Sequence, residues 1–159
     1  MSIGYWSVMV MKLRELMTTN VITIDKNVTV QLAAGTMNKK GIGCLVTVDK
    51  EGIKGILTER DLLTRVLEAC KDPKTTRVSD VMTQSIIFGN PEMQLAEATR
   101  LMFENGIKKL PILEDNELVG LVTLTDIARA TSSDRKTMDL IEALSNMHKV
   151  SSLQAHTTT

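Results

Sequence analysis

The sequence predicts an α+β fold built from two tandem β-α-β-β-α repeats packed as a pseudo-twofold pair. Three observations lead there. Gly55-Ile56-Leu57-Thr58-Glu59-Arg60-Asp61 returns as Gly120-Leu121-Val122-Thr123-Leu124-Thr125-Asp126, at an offset of 65 residues. The same offset aligns Lys12–Leu63 with the later chain without a gap, and eleven of those 52 positions are identical, against roughly three expected from ordinary residue usage. The identical pairs are Met17/Met82, Thr18/Thr83, Ile22/Ile87, Ala33/Ala98, Met37/Met102, Gly41/Gly106, Ile42/Ile107, Leu45/Leu110, Gly55/Gly120, Thr58/Thr123 and Asp61/Asp126. Finally, the polar, proline-bearing stretch Lys71-Asp72-Pro73-Lys74-Thr75-Thr76 separates the copies as a linker.

These boundaries divide the 159 residues into an N-terminal extension (1–11), a first repeat (12–70), the linker (71–76), a second repeat (77–131), a C-terminal helix (134–149) and a disordered tail (150–159). The opening MSIGYWSVMVM reads as an added strand or a flap over apolar surface, with a membrane or partner contact as the other reading. Leu13–Met17 forms a short helical turn. Val21–Ile24 is rich in β-branched residues and predicts the first strand. Val28–Lys40 is helical, with Val28, Leu32 and Met37 near one face and Gly41 ending it. Cys44–Val48 and Ile53–Leu57 are strands joined by the hairpin signal Asp49-Lys50-Glu51-Gly52. Glu59–Cys70 is the second helix, with Leu62, Leu63, Val66 and Leu67 on its apolar side.

The second repeat follows the same order. A strand is expected around Ile86-Ile87-Phe88, then a helix from about Pro91 to Asn105 with Gly106 as its cap. Strands at Leu110–Leu113 and Leu118–Val122 flank the turn Glu114-Asp115-Asn116-Glu117, and a further helix starts near Thr125. Pro111 marks a strand edge or a strand start. Met138, Ile141, Leu144 and Met147 give the C-terminal helix an apolar stripe, for its own chain or for a partner subunit.

Composition narrows the function classes. A 65-residue unit alone is marginal, so burial between the copies is expected. The 19 basic and 19 acidic residues cancel, which argues against broad nucleic-acid binding. No apolar run approaches the length that spans a bilayer, and a cytoplasmic protein is expected. Cys44 and Cys70 make neither a disulfide framework nor a metal site and read as buried thiols. Ten methionines against four aromatic residues point to a core of flexible aliphatic side chains. Both histidines, His148 and His156, lie beyond the second repeat, and no nucleophile has a base near it in the sequence. The chain is therefore expected not to be an enzyme, with no catalytic or metal-ligating residues.

A doubled β-α-β-β-α unit that opens on Met-Thr and closes on G-h-h-T-x-x-D resembles the CBS domain, and two in tandem resemble a CBS pair, or Bateman module. The openings are Leu16-Met17-Thr18 and Val81-Met82-Thr83. Gly106-Ile107-Lys108-Lys109-Leu110-Pro111 is similar to the family's G-h-x-[basic]-L-P segment, whereas Gly41-Ile42-Gly43-Cys44-Leu45-Val46 lacks its basic residue and proline. The resemblance covers about Lys12 to Thr131. It implies a stand-alone regulatory sensor of adenosine-containing ligands (AMP, ADP, ATP or S-adenosylmethionine) bound in clefts between the repeats. It also implies a homodimer through the repeats and an effector protein that the sequence does not name.

Carried onto this sequence, the resemblance places a ribose contact at Asp61 and Asp126, since an ionised carboxylate can accept both hydroxyls of a diol. Thr58 and Thr123 would add a hydroxyl near the ribose or phosphate. The other reading of Thr-x-x-Asp at a helix start is a capping box. Lys108 and Lys109 are the phosphate candidates, and an exposed basic pair is their alternative. Gly43 and Cys44 supply no charge at the equivalent place, so two unequal clefts are expected. Arg60 is a further phosphate candidate, with Thr125 as its counterpart. Ile22, Ile56, Ile87 and Leu121 would wall the adenine, or simply fill the core. The competing function is a ligand-independent dimerisation scaffold in which the same motifs only cap helices. A role in DNA binding lacks a recognition helix or basic patch.

Overall fold

The computed structural model describes residues 10–131. Readings that fall on residues 1–9 and 132–159, including the 134–149 helix and the tail, lie outside the described residues. The chain forms two compact units, and neither coincides with a sequence repeat. One comprises Asn20–Ile87; the other joins the chain up to Thr19 to the chain from Phe88 onward.

In the Asn20–Ile87 unit, β1 (Thr23–Asp25) lies parallel to β2 (Cys44–Asp49), which pairs antiparallel with β3 (Gly52–Thr58), giving the order β1-β2-β3. Helix α1 (Val30–Lys40) connects β1 to β2. The Thr29 hydroxyl accepts from Leu32 N at its start, and Gly41 ends it in the left-handed conformation at φ +63°. Helix α2 (Glu59–Leu62) runs into a wider π-type turn over Leu63–Leu67, marked by Glu68 N donating to the Leu63 carbonyl. The core gathers Val30, Ala33, Met37, Leu45, Leu57 and Val66 together with Val78, Val81 and Met82 from the opening of the second repeat. Each fully buried Leu or Val contributes on the order of 1.5–3 kcal/mol.

Several element readings shift. The first strand is Thr23–Asp25 rather than Val21–Ile24, and α1 starts at Val30 because Thr29 is its cap. The helix read as Glu59–Cys70 is regular only to Leu62. Leu32, Leu63 and Leu67, expected on apolar faces, are 56%, 63% and 72% exposed. In a short element only one side faces the sheet: Leu62 and Val66 meet the core, and Leu63 and Leu67, each about 100° further round, do not. Cys44 is buried in β2 as expected, but Cys70 is exposed, at φ +53° just beyond the helical turns.

The other unit holds α3 (Leu95–Glu104), β4 (Lys109–Glu114), β5 (Glu117–Thr123) and α4 (Leu124–Ala130), with β4 and β5 antiparallel. Asp115 and Asn116 turn the hairpin with positive φ at both positions. Leu13, Leu95, Met102, Leu110, Ile112, Val122 and Ile127 are buried here. The strand expected around Ile86-Ile87-Phe88 does not form; a single parallel bridge, Gly89 to Ile112, stands in for β1. The cause is two prolines. Val46 and Lys26 donate their backbone N–H groups to the Ile22 and Val48 carbonyls, and their counterparts Pro111 and Pro91 have no N–H to give. The helix read from Pro91 begins at Leu95, after a turn in which Met93 N bonds to the Asn90 carbonyl.

The Met-Thr openings explain the unit boundaries. Thr18 and Leu121 exchange both backbone hydrogen bonds at 2.9 Å, and so do Thr83 and Ile56. The opening of the first repeat thus adds to β5, and the opening of the second to β3.

Candidate functional site

Both Thr-x-x-Asp motifs form the capping box. In the Asn20–Ile87 unit, Asp61 Oδ2 accepts from Thr58 N and Thr58 Oγ1, each at 2.8 Å, and Thr58 Oγ1 accepts from Asp61 N at 3.3 Å. In the other unit, Asp126 Oδ2 accepts from Thr123 N at 2.8 Å and Thr123 Oγ1 at 2.7 Å, and Thr123 Oγ1 accepts from Asp126 N at 3.3 Å. The cap therefore takes two of the four lone-pair positions of each carboxylate, all of them on Oδ2. What each site can do further depends on Oδ1.

The two Oδ1 atoms differ. Asp61 Oδ1 lies 3.4 Å from the Thr83 hydroxyl and 3.5 Å from Arg65 Nη1. Arg65 Nη1 is held in turn by the Val81 carbonyl at 2.8 Å and Thr83 Oγ1 at 3.3 Å. Asp61 is buried, although Arg65 is about half exposed. At Asp126 the residue four further on is Ala130, and Oδ1 has no partner among the described residues. No buried side-chain oxygen or nitrogen among those residues lacks a hydrogen bond, so this unpartnered Oδ1 is open to solvent.

The expected residues divide between the units. Lys108, Lys109, Leu121, Thr123, Thr125 and Asp126 share one. Lys109 is paired with Thr123 across β4 and β5, and the Lys108 carbonyl accepts from Leu124 N. Both lysines are half-buried and make no ion pair among the described residues. Ile22, Ile56, Thr58, Arg60, Asp61 and Ile87 belong to the other unit. Ile22, Ile56, Ile87 and Leu121 are half-buried, whereas Arg60 and Thr125 are exposed. Where the lysine pair would sit in this unit, the Glu59 carboxylate covers Gly43: a Cβ built there would fall 2.8 Å from Glu59 Oε2. One site thus has two lysines at the strand end next to its capping box, and the other a glutamate over the equivalent glycine.

The structure also brings Arg65 and Thr83 to Asp61 and Glu59 over Gly43, three residues that the sequence does not single out as candidates. Arg65 had a signal, since an arginine four positions after an aspartate on a helix faces it. Thr83 had none, because its approach to Asp61 depends on which strand the second opening joins. Among the described residues no group of three or more His, Cys, Asp or Glu could hold a metal, and no helix is long and apolar enough to cross a membrane.

The CBS domain family matches residues 13–68 and again 78–133. The chain belongs to the CBS-domain family. CBS domain-containing protein YhcV of Bacillus subtilis (strain 168) is 40% identical over 115 residues, which are 72% of this chain and 81% of that protein. The alignment spans only 56% of a Methanopyrus kandleri relative and 55% of one from Arabidopsis thaliana. The solved structure of the CBS domain protein TA0289 from Thermoplasma acidophilum matches with a TM-score of 0.77 at 28% identity, covering 86% of this chain and 76% of that one. A Burkholderia ambifaria structure, described as a signal-transduction protein with CBS domains, matches at 0.69 with 34% identity, over 74% of this chain and 86% of that one. The fold is two tandem CBS repeats of mixed α+β structure.

Proposed function

We propose that this CBS protein is a non-enzymatic adenine-nucleotide sensor that binds AMP, ADP or ATP and passes its occupancy to an effector protein, in the cytoplasm. The observation that carries the reading is that Asp126 Oδ1 and the side chains of Lys108 and Lys109 all lack a partner among the described residues, with Lys109 set opposite Thr123, the cap of the Asp126 helix. Two open lone-pair positions on Oδ1 suit the adjacent hydroxyls of a ribose, and two lysines suit a phosphate. Leu121 offers apolar surface for a base on the same strand. S-adenosylmethionine shares the ribose but has no phosphate to meet the lysines. Titration calorimetry with AMP, ATP and S-adenosylmethionine tests this: heat is expected for the phosphate-bearing ligands, and none from folded protein for any of the three would overturn it.

A dimerisation scaffold is the second reading. Exposed Leu32, Leu63 and Leu67 on the helical segments of the Asn20–Ile87 unit favour a covered surface there. A related structure is that of a hexameric CBS-CP12 protein from bloom-forming cyanobacteria. In this reading, sedimentation of the wild type shows a homodimer whether or not nucleotide is added, and Leu63→Glu with Leu67→Glu gives monomers.

A further inference from the structure

The two capping boxes are alike to within 0.1 Å in their shared hydrogen bonds, so what separates the sites lies around them. At Asp61 both oxygens are engaged: Oδ2 by the Thr58 N–H and hydroxyl, and Oδ1 by the Thr83 hydroxyl at 3.4 Å and by the charge of the Arg65 guanidinium, an ion pair at 3.5 Å. Arg65 does not hang loosely there, because the Val81 carbonyl accepts from the same Nη1 at 2.8 Å. The Glu59 carboxylate over Gly43 adds a like charge against any incoming phosphate. At Asp126 the corresponding positions hold Ala130, Leu124 and Lys108. Thr18 occupies the place of Thr83, with matching backbone bonds but no side-chain bond to the aspartate.

We propose that Arg65 latches the Asp61 site shut, so that each chain takes one adenylate, at Asp126, and the second site opens only when Arg65 is drawn away. The proposal rests on the nucleotide-binding reading and assigns occupancy and regulation within it. An ion pair at 3.5 Å with a half-exposed arginine is weak enough to be exchanged. A partner offering a carboxylate to Arg65 would free Asp61 Oδ1 of its cation. Arg65 would then respond to an acidic partner surface and change the number of nucleotides bound. It is a positioning residue, acting on Asp61 rather than on the ligand.

The test is AMP binding by titration calorimetry on the full chain, with circular dichroism to confirm folding. Wild type should bind one AMP per chain. Asp126→Asn, which keeps an acceptor for the cap, should weaken binding at least about tenfold, the size of one lost charge-assisted hydrogen bond. Arg65→Met, which keeps a long apolar stem, should raise the stoichiometry to two. Ala130→Arg transplants the latch and should weaken the wild-type site by a similar factor; it carries the test if Arg65→Met fails to fold. Two AMP per wild-type chain, one or none in folded Arg65→Met, or undiminished binding in Ala130→Arg would each overturn the latch alone. No AMP bound by any folded variant or the wild type would instead remove the nucleotide reading, and the latch with it.

Discussion

The sulfur of Met82 lies where a side chain on Gly55 would have to be. A Cβ built on Gly55 would fall 2.7 Å from Met82 Sδ, 2.8 Å from Thr47 Oγ1 and 2.8 Å from the Thr83 carbonyl oxygen. Thr47 is fully buried and its hydroxyl contacts the same sulfur at 3.0 Å. The Met-Thr that opens one repeat and the glycine that begins the closing motif of the other are thus two halves of one contact. The glycine lets the incoming segment lie on the strand, and the backbone bridge between Thr83 and Ile56 fixes it there.

Gly55→Ala and Gly120→Ala should not be equivalent. At Gly120 the atoms in the way all belong to the Met17 side chain, which is flexible and can move aside. At Gly55 they include a backbone carbonyl and a buried threonine. Gly55→Ala is expected to destabilise by about 1–3 kcal/mol, in the range of core overpacking, and Gly120→Ala by clearly less. Urea denaturation of both variants measures the difference; equal losses would show that the Thr47 and Thr83 contacts do not constrain the site.

How far the sequence carried this structure follows from the same contact. The 65-residue offset located both capping boxes and most strands, because turn chemistry, helix caps and apolar strands are local. It did not reveal that Met17-Thr18 joins β5 and Met82-Thr83 joins β3, since identical openings carry no information about which copy they pair with. The missing strand around Gly89 is partly legible: Pro111 marks a strand edge or a strand start, but the N–H donors that Pro111 and Pro91 lack become visible only against the Val46 and Lys26 bonds. At the site, the charge of Lys108-Lys109 against the uncharged Gly43-Cys44 is legible in the aligned repeats, whereas the ion pair of Arg65 with Asp61, where the other copy has Ala130, lies outside the motif.

The caps can be tested apart from any ligand. Thr58→Val and Thr123→Val each remove the hydroxyl that accepts the aspartate N–H and donates to its carboxylate. Each should lower stability by about 1 kcal/mol, the usual cost of a lost N-cap, and serine at the same position should restore most of it. Thermal unfolding followed by circular dichroism reads this out. A valine variant as stable as wild type would mean that the hydroxyl does not contribute to the cap.

Acid sensitivity should trace partly to Asp49. Its carboxyl is held below the ordinary range, first by the hydrogen bond from Lys26 Nζ at 2.7 Å, against an opposing effect of burial. The Glu51 N–H at 2.8 Å and the charge of Lys54 at 3.5 Å add to the lowering. Lys54 is itself paired with Glu51. A carboxylate whose pKa is depressed on folding stabilises the fold above its unfolded value, and that contribution is lost as pH falls through the folded value. Lys26→Met should therefore give a flatter fall in stability below about pH 4, along with a lower plateau near neutrality. Urea midpoints from neutral to acid pH measure both slopes, and parallel curves would show that the Lys26 bond does not set the titration of Asp49.

The lysine pair separates phosphate recognition from ribose recognition. Lys109 faces Thr123 across the β4–β5 pair, and Lys108 precedes it with its carbonyl bonded to the first residue of α4. Replacing both by alanine leaves the Thr123–Asp126 box untouched. AMP should then bind about 10–100-fold more weakly, the loss expected for charged hydrogen bonds, whereas adenosine, with the same ribose and no phosphate, should keep its affinity. Added salt should weaken AMP binding in the wild type and matter much less in the double variant, because screening acts only on charge that is present. Competition of AMP and adenosine against a fluorescent adenylate, at low and high salt, gives these affinities for the wild type and the double variant. A variant that loses adenosine as severely as AMP would make the lysines supports of the fold, and one that keeps AMP would leave the phosphate without a cation in this unit.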